Sequence, residues 1–334
     1  MQPANDTEAV QHDRGLVAVD KVANKIRFYD PRTLREIRVI DSPEPTVHEL
    51  ALSYDRSHAF VPLYGDGIYG SNKNPNNKIL VVDLARQVIC DILNLGLFVA
   101  PHGMVATRDG KLWVVCDLPN RLLCVDLARR AIEDVYTCPA KGPHLIETLP
   151  DQSRLYISAK EGDLAVFDPV ERLFVAAVPM HAPGIESGNG SGSEGLTPTR
   201  DGKRLLVIDN DRTALRVIDT AADCEIDRVP LKPHVFSNAK RSRLAKLMFS
   251  RDGRYLVVTS YASGLAWVLD ASDYRVQAPV AVAKGPMGIA FPADGTSVII
   301  ARHDSGLMTR IDLAAKRAMT AVDGGGGIEV MAFY

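Results

Sequence analysis

An all-β, seven-bladed propeller built of four-stranded blades is predicted for this 334-residue chain, and three observations carry the prediction. The stretch Pro101–Gly110, PHGMVATRDG, recurs in degraded form, with copies opening at His48, His102, His144, Glu194, Ala245, Met287 and Glu329. Downstream runs close on Asp30, Asp83, Asp126, Asp168, Asp219, Asp270 and Asp312, spaced 53, 43, 42, 51, 51 and 42 residues apart. A period near 42 residues with insertions, made of short runs rich in Val, Ile and Leu, is a propeller signal and not a helical-repeat one. Third, the first unit lacks its opening copy while the chain ends on a lone one, Glu329 to Tyr334. The last strand then completes the first blade and shuts the ring, leaving no free sheet edge at the seam.

Within each unit the opening copy reads as strand A, followed by B, C and D. Asp-Gly pairs at Asp109, Asp201, Asp252 and Asp294 suit a tight turn between A and B, because Gly accepts the positive φ such turns require. No segment sustains a 3.6-residue period that would compete. Residues 1–14 are expected to be a tail, and 15–334 a single domain, since stacked repeats share one continuous core.

Composition excludes several classes. The chain is 46% hydrophobic with 25 Gly and 20 Pro, which fits a well-buried, turn-rich protein. Its 39 Lys and Arg against 41 Asp and Glu exert no general pull on nucleic acid or an anionic membrane. The first fifteen residues are acidic without an apolar stretch, so they do not read as a signal peptide, and no run approaches the apolar length of a membrane span. A cytoplasmic protein is expected. Five cysteines (Cys90, Cys116, Cys124, Cys138 and Cys224) form no C-x-x-C pair and read as inert thiols. No G-x-S-x-G elbow appears, and the glycines at 324–327 precede no helix, so serine-hydrolase and phosphate-loop readings fall away.

Gly285–Gly295 (GPMGIAFPADG) and Leu256–Ser260 (LVVTS) resemble the YVTN-type repeat family of seven-bladed β-propellers, and the likeness extends over roughly residues 15 to 334. The resemblance implies the fold. It implies chemistry loosely, because such propellers include lactonases, streptogramin-type lyases, copper enzymes and binding scaffolds.

In a propeller the A strands line the central channel, so equivalent positions form a ring: Glu329, His48, His102, His144, Glu194, Ala245 and Met287. Imidazoles and carboxylates converging beside an apolar side are what a Zn, Fe or Mn ion requires, in preference to Mg or Ca. His48, His102 and His144 are the expected metal ligands. Glu194 is a fourth ligand or a general base, and Glu329 is a second acid–base candidate or orients His48. Polar side chains around a channel that hold only ordered water are the alternative. Long polar loops on the same face bring Tyr64, Tyr69, His181, Glu186, His234 and Arg243 as substrate contacts, and short turns add Lys160, Asp209, Tyr261, Arg302 and His303. Arg302 and His303 suit a carboxylate or phenolate.

Together these residues predict a metal-dependent enzyme that opens a lactone or ester ring, or performs an elimination, on a small oxygenated substrate. An Fe- or Cu-dependent oxidoreductase on the same ligands, and a non-catalytic scaffold for a ligand or protein partner, are the alternatives.

Overall fold

A computed structural model describes residues 13–180, 193–210, 212–231, 243–275 and 279–334, without the side chains of Ser193 and Glu194. The first blade pairs β28 (Ile328–Phe333) with β1 (Leu16–Asp20), β2 (Lys25–Tyr29) and β3 (Glu36–Asp41). The second holds β4 (Ala51–Leu52), β5 (His58–Gly65), β6 (Pro75–Asp83) and β7 (Val88–Asn94). β8 (Val99–Ala106), β9 (Lys111–Leu118), β10 (Arg121–Asp126) and β11 (Ala131–Thr137) form the third. β12 (Lys141–Thr148), β13 (Leu155–Glu161), β14 (Leu164–Asp168) and β15 (Leu173–Val178) form the fourth. The fifth has β16 (Ser193–Pro198), β17 (Arg204–Asp209), β18 (Ala214–Asp219) and β19 (Cys224–Pro230). The sixth has β20 (Leu244–Phe249), β21 (Tyr255–Ser260), β22 (Leu265–Asp270) and β23 (Val280–Ala281). The seventh has β24 (Pro286–Ala290), β25 (Ser297–Arg302), β26 (Met308–Asp312) and β27 (Arg317–Val322). The predicted seven antiparallel four-stranded blades are therefore present, and no helix long and apolar enough to cross a membrane occurs among the described residues.

The repeating aspartates have a local cause. Each ends strand C, and its carboxylate takes backbone N–H groups of the turn into strand D: Thr33 on Asp30, Arg86 on Asp83, Arg129 on Asp126, Glu171 on Asp168, Ala222 on Asp219, Ser272 on Asp270 and Ala315 on Asp312. A short side chain that bonds its own turn is what Asp supplies. Four residues past each aspartate the chain enters the left-handed region, at Leu34, Gln87, Arg130, Arg172, Asp223, Tyr274 and Lys316. The turn, and not an affinity for glycine, imposes that conformation seven times. In the A–B turns, Gly110, Gly202, Gly253 and Gly295 have φ between 66° and 77°, as the Asp-Gly pairs predict, while Arg56 and Gln152 take the same conformation in blades two and four.

Among the described residues the blades are held by seven apolar clusters, one at each interface. Strands buried on both faces pack Val, Ile and Leu against the next blade. The seam is no exception: Leu16, Ala18 and Tyr29 meet Ile299, Ala301 and Met308 with Ile328, Met331 and Phe333 of β28. Polar bonds reinforce it. Tyr334 N donates to Gly15 O at 3.0 Å, and Gly15 N returns a bond to Tyr334 O at 3.2 Å. Fully buried Asp20 accepts the amides of Gly326 and Gly327 and the Arg27 guanidinium.

Candidate active site at the channel mouth

The innermost strands pack on one another around the axis, and each carries a one-residue shift of register against strand B. The shifts lie between Pro101 and Met104, Pro143 and Ile146, Ser193 and Leu196, Leu244 and Leu247, and Pro286 and Gly288. In the first blade the pairing of β28 with β1 shifts between Val19 and Asp20. Ahead of the short β4, the isolated bridge Val47–Leu63 and the pair Ala51–Phe60 bracket the same irregularity. The ring positions sit inside these bulges. A bulge breaks the alternation of faces, so the ring residue and its successor both reach the channel, as His48 with Glu49 and Ala245 with Lys246 do. Bulged backbone N–H groups find strand-B hydroxyls: Leu145 N donates to Ser158 Oγ at 3.0 Å, and Lys246 N to Thr259 Oγ1 at 3.2 Å. Gly103 lets two blades close up. A Cβ there would stand 2.6 Å from the His144 carbonyl oxygen.

The three imidazoles are brought together as expected. The rings of His48 and His102 have centroids 4.4 Å apart, and those of His102 and His144 4.2 Å. All three are buried and line one cavity of about 230 Å³ with Ala245, Met287 and Glu329. Lys21 Nζ and His48 Nε2 share a hydrogen bond at 2.7 Å. Burial first, and then the neighbouring histidine and Lys21, Lys160 and Lys246, push His48 and His102 well below the usual imidazole range. Burial also pushes Lys21 down, against the pull of Glu329 and Glu49.

The carboxylate beside the imidazoles is one the repeat did not single out. Donor atoms of His48, Glu49 and His102 lie within 4.8 Å of one another, all three residues being buried. His48 Nδ1 is 3.9 Å from Glu49 Oε1, and the buried Nδ1 atoms of His48 and His102 have no hydrogen-bond partner among the described residues. Two unpartnered imidazole nitrogens beside a carboxylate form a donor set that fits a divalent Zn-, Fe- or Mn-type ion. Of the expected ligands, His48 and His102 belong to this group, and His144 stands against His102. The side chain of Glu194 is outside the described residues.

Lys246 Nζ meets Glu49 Oε1 at 2.8 Å, from the sixth blade to the second across the axis. This pair partitions the channel. A second cavity of about 170 Å³ shares Glu49, Lys246, Met287 and Glu329 with the first and also contains Glu147, whose carboxyl is pushed up to about 7 by burial.

The rim residues divide. Tyr64 packs its ring 4.9 Å from that of His48 and 5.3 Å from that of His102, and its hydroxyl donates to Asp117, whose carboxyl burial pushes up to about 6. Tyr69 lines the cavity and donates to Glu161 Oε1 at 3.4 Å. Arg243 lines it too, with its guanidinium 5.0 Å from the Tyr261 ring centroid. His303 reaches the site through Glu329, at 3.2 Å from Nε2 to Oε2, and the Tyr261 hydroxyl is engaged by Asp304. Arg302 is not among the cavity-lining residues: its Nε donates to Lys284 O at 2.8 Å. Asp209 instead pairs with Arg216 at 3.1 Å, both buried. His181, Glu186 and His234 lie outside the described residues.

Lys21, Glu49 and Lys246 are the additions. Lys21 directly follows strand B of the first blade, and Lys160 stands near the end of strand B in the fourth; that similar place was the available signal. Glu49 and Lys246 occupy one register in two units, a Glu and a Lys inside otherwise apolar copies. Regular alternation would turn both away from the channel.

The fold has solved counterparts. Pseudomonas aeruginosa periplasmic gluconolactonase is similar at TM-score 0.73 and 16% identity, over 96% of this chain and 98% of that one. Kuenenia stuttgartiensis hydrazine synthase is similar at TM-score 0.68 and 18% identity, over 88% and 91%. The Myceliophteria thermophila Cps50 (Swd1) β-propeller domain is similar at 0.65 and 13%, over 86% and 90%. No family model and no curated protein matches the chain. These likenesses define a seven-bladed β-propeller.

Proposed function

We propose that the chain is a propeller enzyme that opens a lactone or ester bond of a small oxygenated compound at the channel mouth. The observation that carries this reading is the row of three buried imidazoles from consecutive blades, two of them held neutral by burial and by nearby lysines. Neutral imidazoles supply the lone pairs that both metal binding and proton abstraction need. His48, Glu49 and His102 would hold a divalent ion, which when bound polarises a carbonyl oxygen. His144 lines the same cavity and is assigned to take the proton from the attacking water and return it to the alkoxide oxygen as the acyl C–O bond breaks. Lys21 presents an ammonium to the oxyanion that forms as water adds to the carbonyl carbon. Tyr64 braces the His48 and His102 rings. The gluconolactonase likeness and the YVTN-type resemblance of residues 256–260 and 285–295 support a reaction of this class.

Acid release from a panel of lactones and esters, followed in a pH-stat with Zn-, Fe- and Mn-loaded protein, tests the assignment. Turnover of at least one member is expected, with kcat/KM about 100-fold lower or worse in His102→Ala. Absence of turnover across the panel, or full activity in the variant, would remove the hydrolase reading.

A further inference from the structure

One wall of the upper cavity comes from a loop and not from a strand. Ile68 and Tyr69, between β5 and β6, line the cavity together with Tyr64 and the imidazoles of His48, His102 and His144. The loop braces itself. Asn74 N donates to Asp66 Oδ1 at 3.0 Å, Asn72 Nδ2 to Tyr64 O at 2.9 Å, and Ser71 N to Ile68 O at 2.8 Å. The last bond closes a four-residue turn with Tyr69 and Gly70 at its tip, where Gly70 has a φ of 76° that a side chain would resist. This tip carries Tyr69 from the second blade past the third to the fourth. There its ring lies on the bare backbone of Gly142, at which a Cβ would stand 2.3 Å from Tyr69 Cε2, and its hydroxyl donates to Glu161 Oε1 at 3.4 Å. The three blades so spanned are those that carry His48, His102 and His144, each no more than 8% exposed.

A ring seated on a neighbouring blade, at the tip of a loop braced by its own hydrogen bonds, is a fixed wall. The cavity it bounds, about 230 Å³, is smaller than the roughly 300–1,000 Å³ of sites for drug-sized ligands. We propose that Tyr69 sets the size of substrate that reaches the three imidazoles and holds the site to compact molecules, unsubstituted single-ring lactones and short esters. This rests on the reading of the cavity as the place where a lactone or ester is opened, and adds to it the dimensions of the substrate. A tail on such a ring overfills the cavity, and with the loop braced the overlap is not relieved without displacing Tyr69 from Gly142. Selection of this kind works by excluding the larger competitor and needs no added attraction to the smaller one.

Modification of the histidines by diethyl pyrocarbonate, read residue by residue by peptide mass spectrometry, tests the wall without needing turnover. His58, at the start of β5 and outside this cavity, is the internal standard. Relative to it, His48, His102 and His144 should react at least about 10-fold faster in Tyr69→Ala than in the parent. Tyr69→Phe, which keeps the ring and loses only the hydroxyl, should match the parent. Kinetics on γ-butyrolactone and the tailed γ-nonalactone then test the size limit: Tyr69→Ala should raise kcat/KM for the tailed lactone relative to the plain one about 10-fold, through KM. Unchanged imidazole rates in Tyr69→Ala, or a Tyr69→Phe protein as reactive as Tyr69→Ala, would overturn the proposal. An unchanged preference between the two lactones would overturn it too, while leaving the reaction assignment in place. Faster modification of the imidazoles in a Tyr69→Ala protein whose parent turns over neither lactone would discard the reaction assignment alone and uphold Tyr69 as the residue that controls access.

Discussion

A chain ending at residue 327 is expected not to fold. The missing segment is the innermost strand of the first blade, and its removal exposes β1 along its whole length as an unpaired edge. It also withdraws Ile328, Met331, Phe333 and Tyr334, each no more than 6% exposed. Four buried apolar side chains at about 1.5–3 kcal/mol apiece amount to roughly 6–12 kcal/mol. That is comparable with the roughly 5–15 kcal/mol total stability of a typical protein. Far-UV circular dichroism and gel filtration of the truncated chain should report loss of the folded monomer. Adding the missing residues back as a separate peptide should rescue some of it, by strand addition at the vacant edge. A truncated chain that melts like the full one would show that the seam is not what closes the ring.

Lys246→Met is expected to cost about 3–5 kcal/mol, because it leaves Glu49 charged and buried in the channel without its partner. The side chains of Lys246 and Glu49 are only 16% and 7% exposed, with 2.8 Å between Nζ and Oε1. The carboxyl of Glu49 is raised from its usual range by burial in spite of the lysine, so removing the lysine raises it further. A carboxyl whose pKa is higher folded than unfolded contributes stability below the unfolded value, about 4.3, and loses it as pH rises through the folded one. The variant should therefore fall furthest behind the parent at neutral and alkaline pH and approach it in acid. Pairing the change with Glu49→Gln should recover most of the loss, since a neutral amide needs no counter-charge. Urea unfolding at pH 4.5 and pH 8 on the single and double variants checks both statements. A Lys246→Met protein as stable as its parent at pH 8 would mean that the pair is not a buried ion pair.

The repeat made the architecture legible because the residues that define it act locally. Aspartate at the end of each strand C bonds its own turn, and Asp-Gly at the A–B turn meets a positive φ, so both mark boundaries in sequence without any knowledge of tertiary contacts. The ring of His48, His102 and His144 was legible for the same reason: equal register in equal units places equal positions at one height. What was hidden was the bulge at that register. It turns the next residue inward as well, and so Glu49 and Lys246 entered the channel from positions that ordinary alternation assigns to the blade interior. Arg302 shows the converse. Expected in a rim turn, it is the last residue of β25, and its guanidinium is spent on the Lys284 carbonyl, a contact with the neighbouring blade's loop that no motif encodes. The bond from Tyr64 to Asp117 joins the second and third blades and is likewise a product of packing alone.

The proposed function depends above all on the His48, Glu49 and His102 side chains holding one cation. Its most direct test is the metal content of the purified protein after equilibration with Zn, Fe or Mn and removal of the excess, set beside the same measurement on a folded His102→Ala protein. About one ion per chain is expected in the parent, falling to a small fraction of that in the variant. A parent that retains no ion, or a variant that retains as much as the parent, would contradict it.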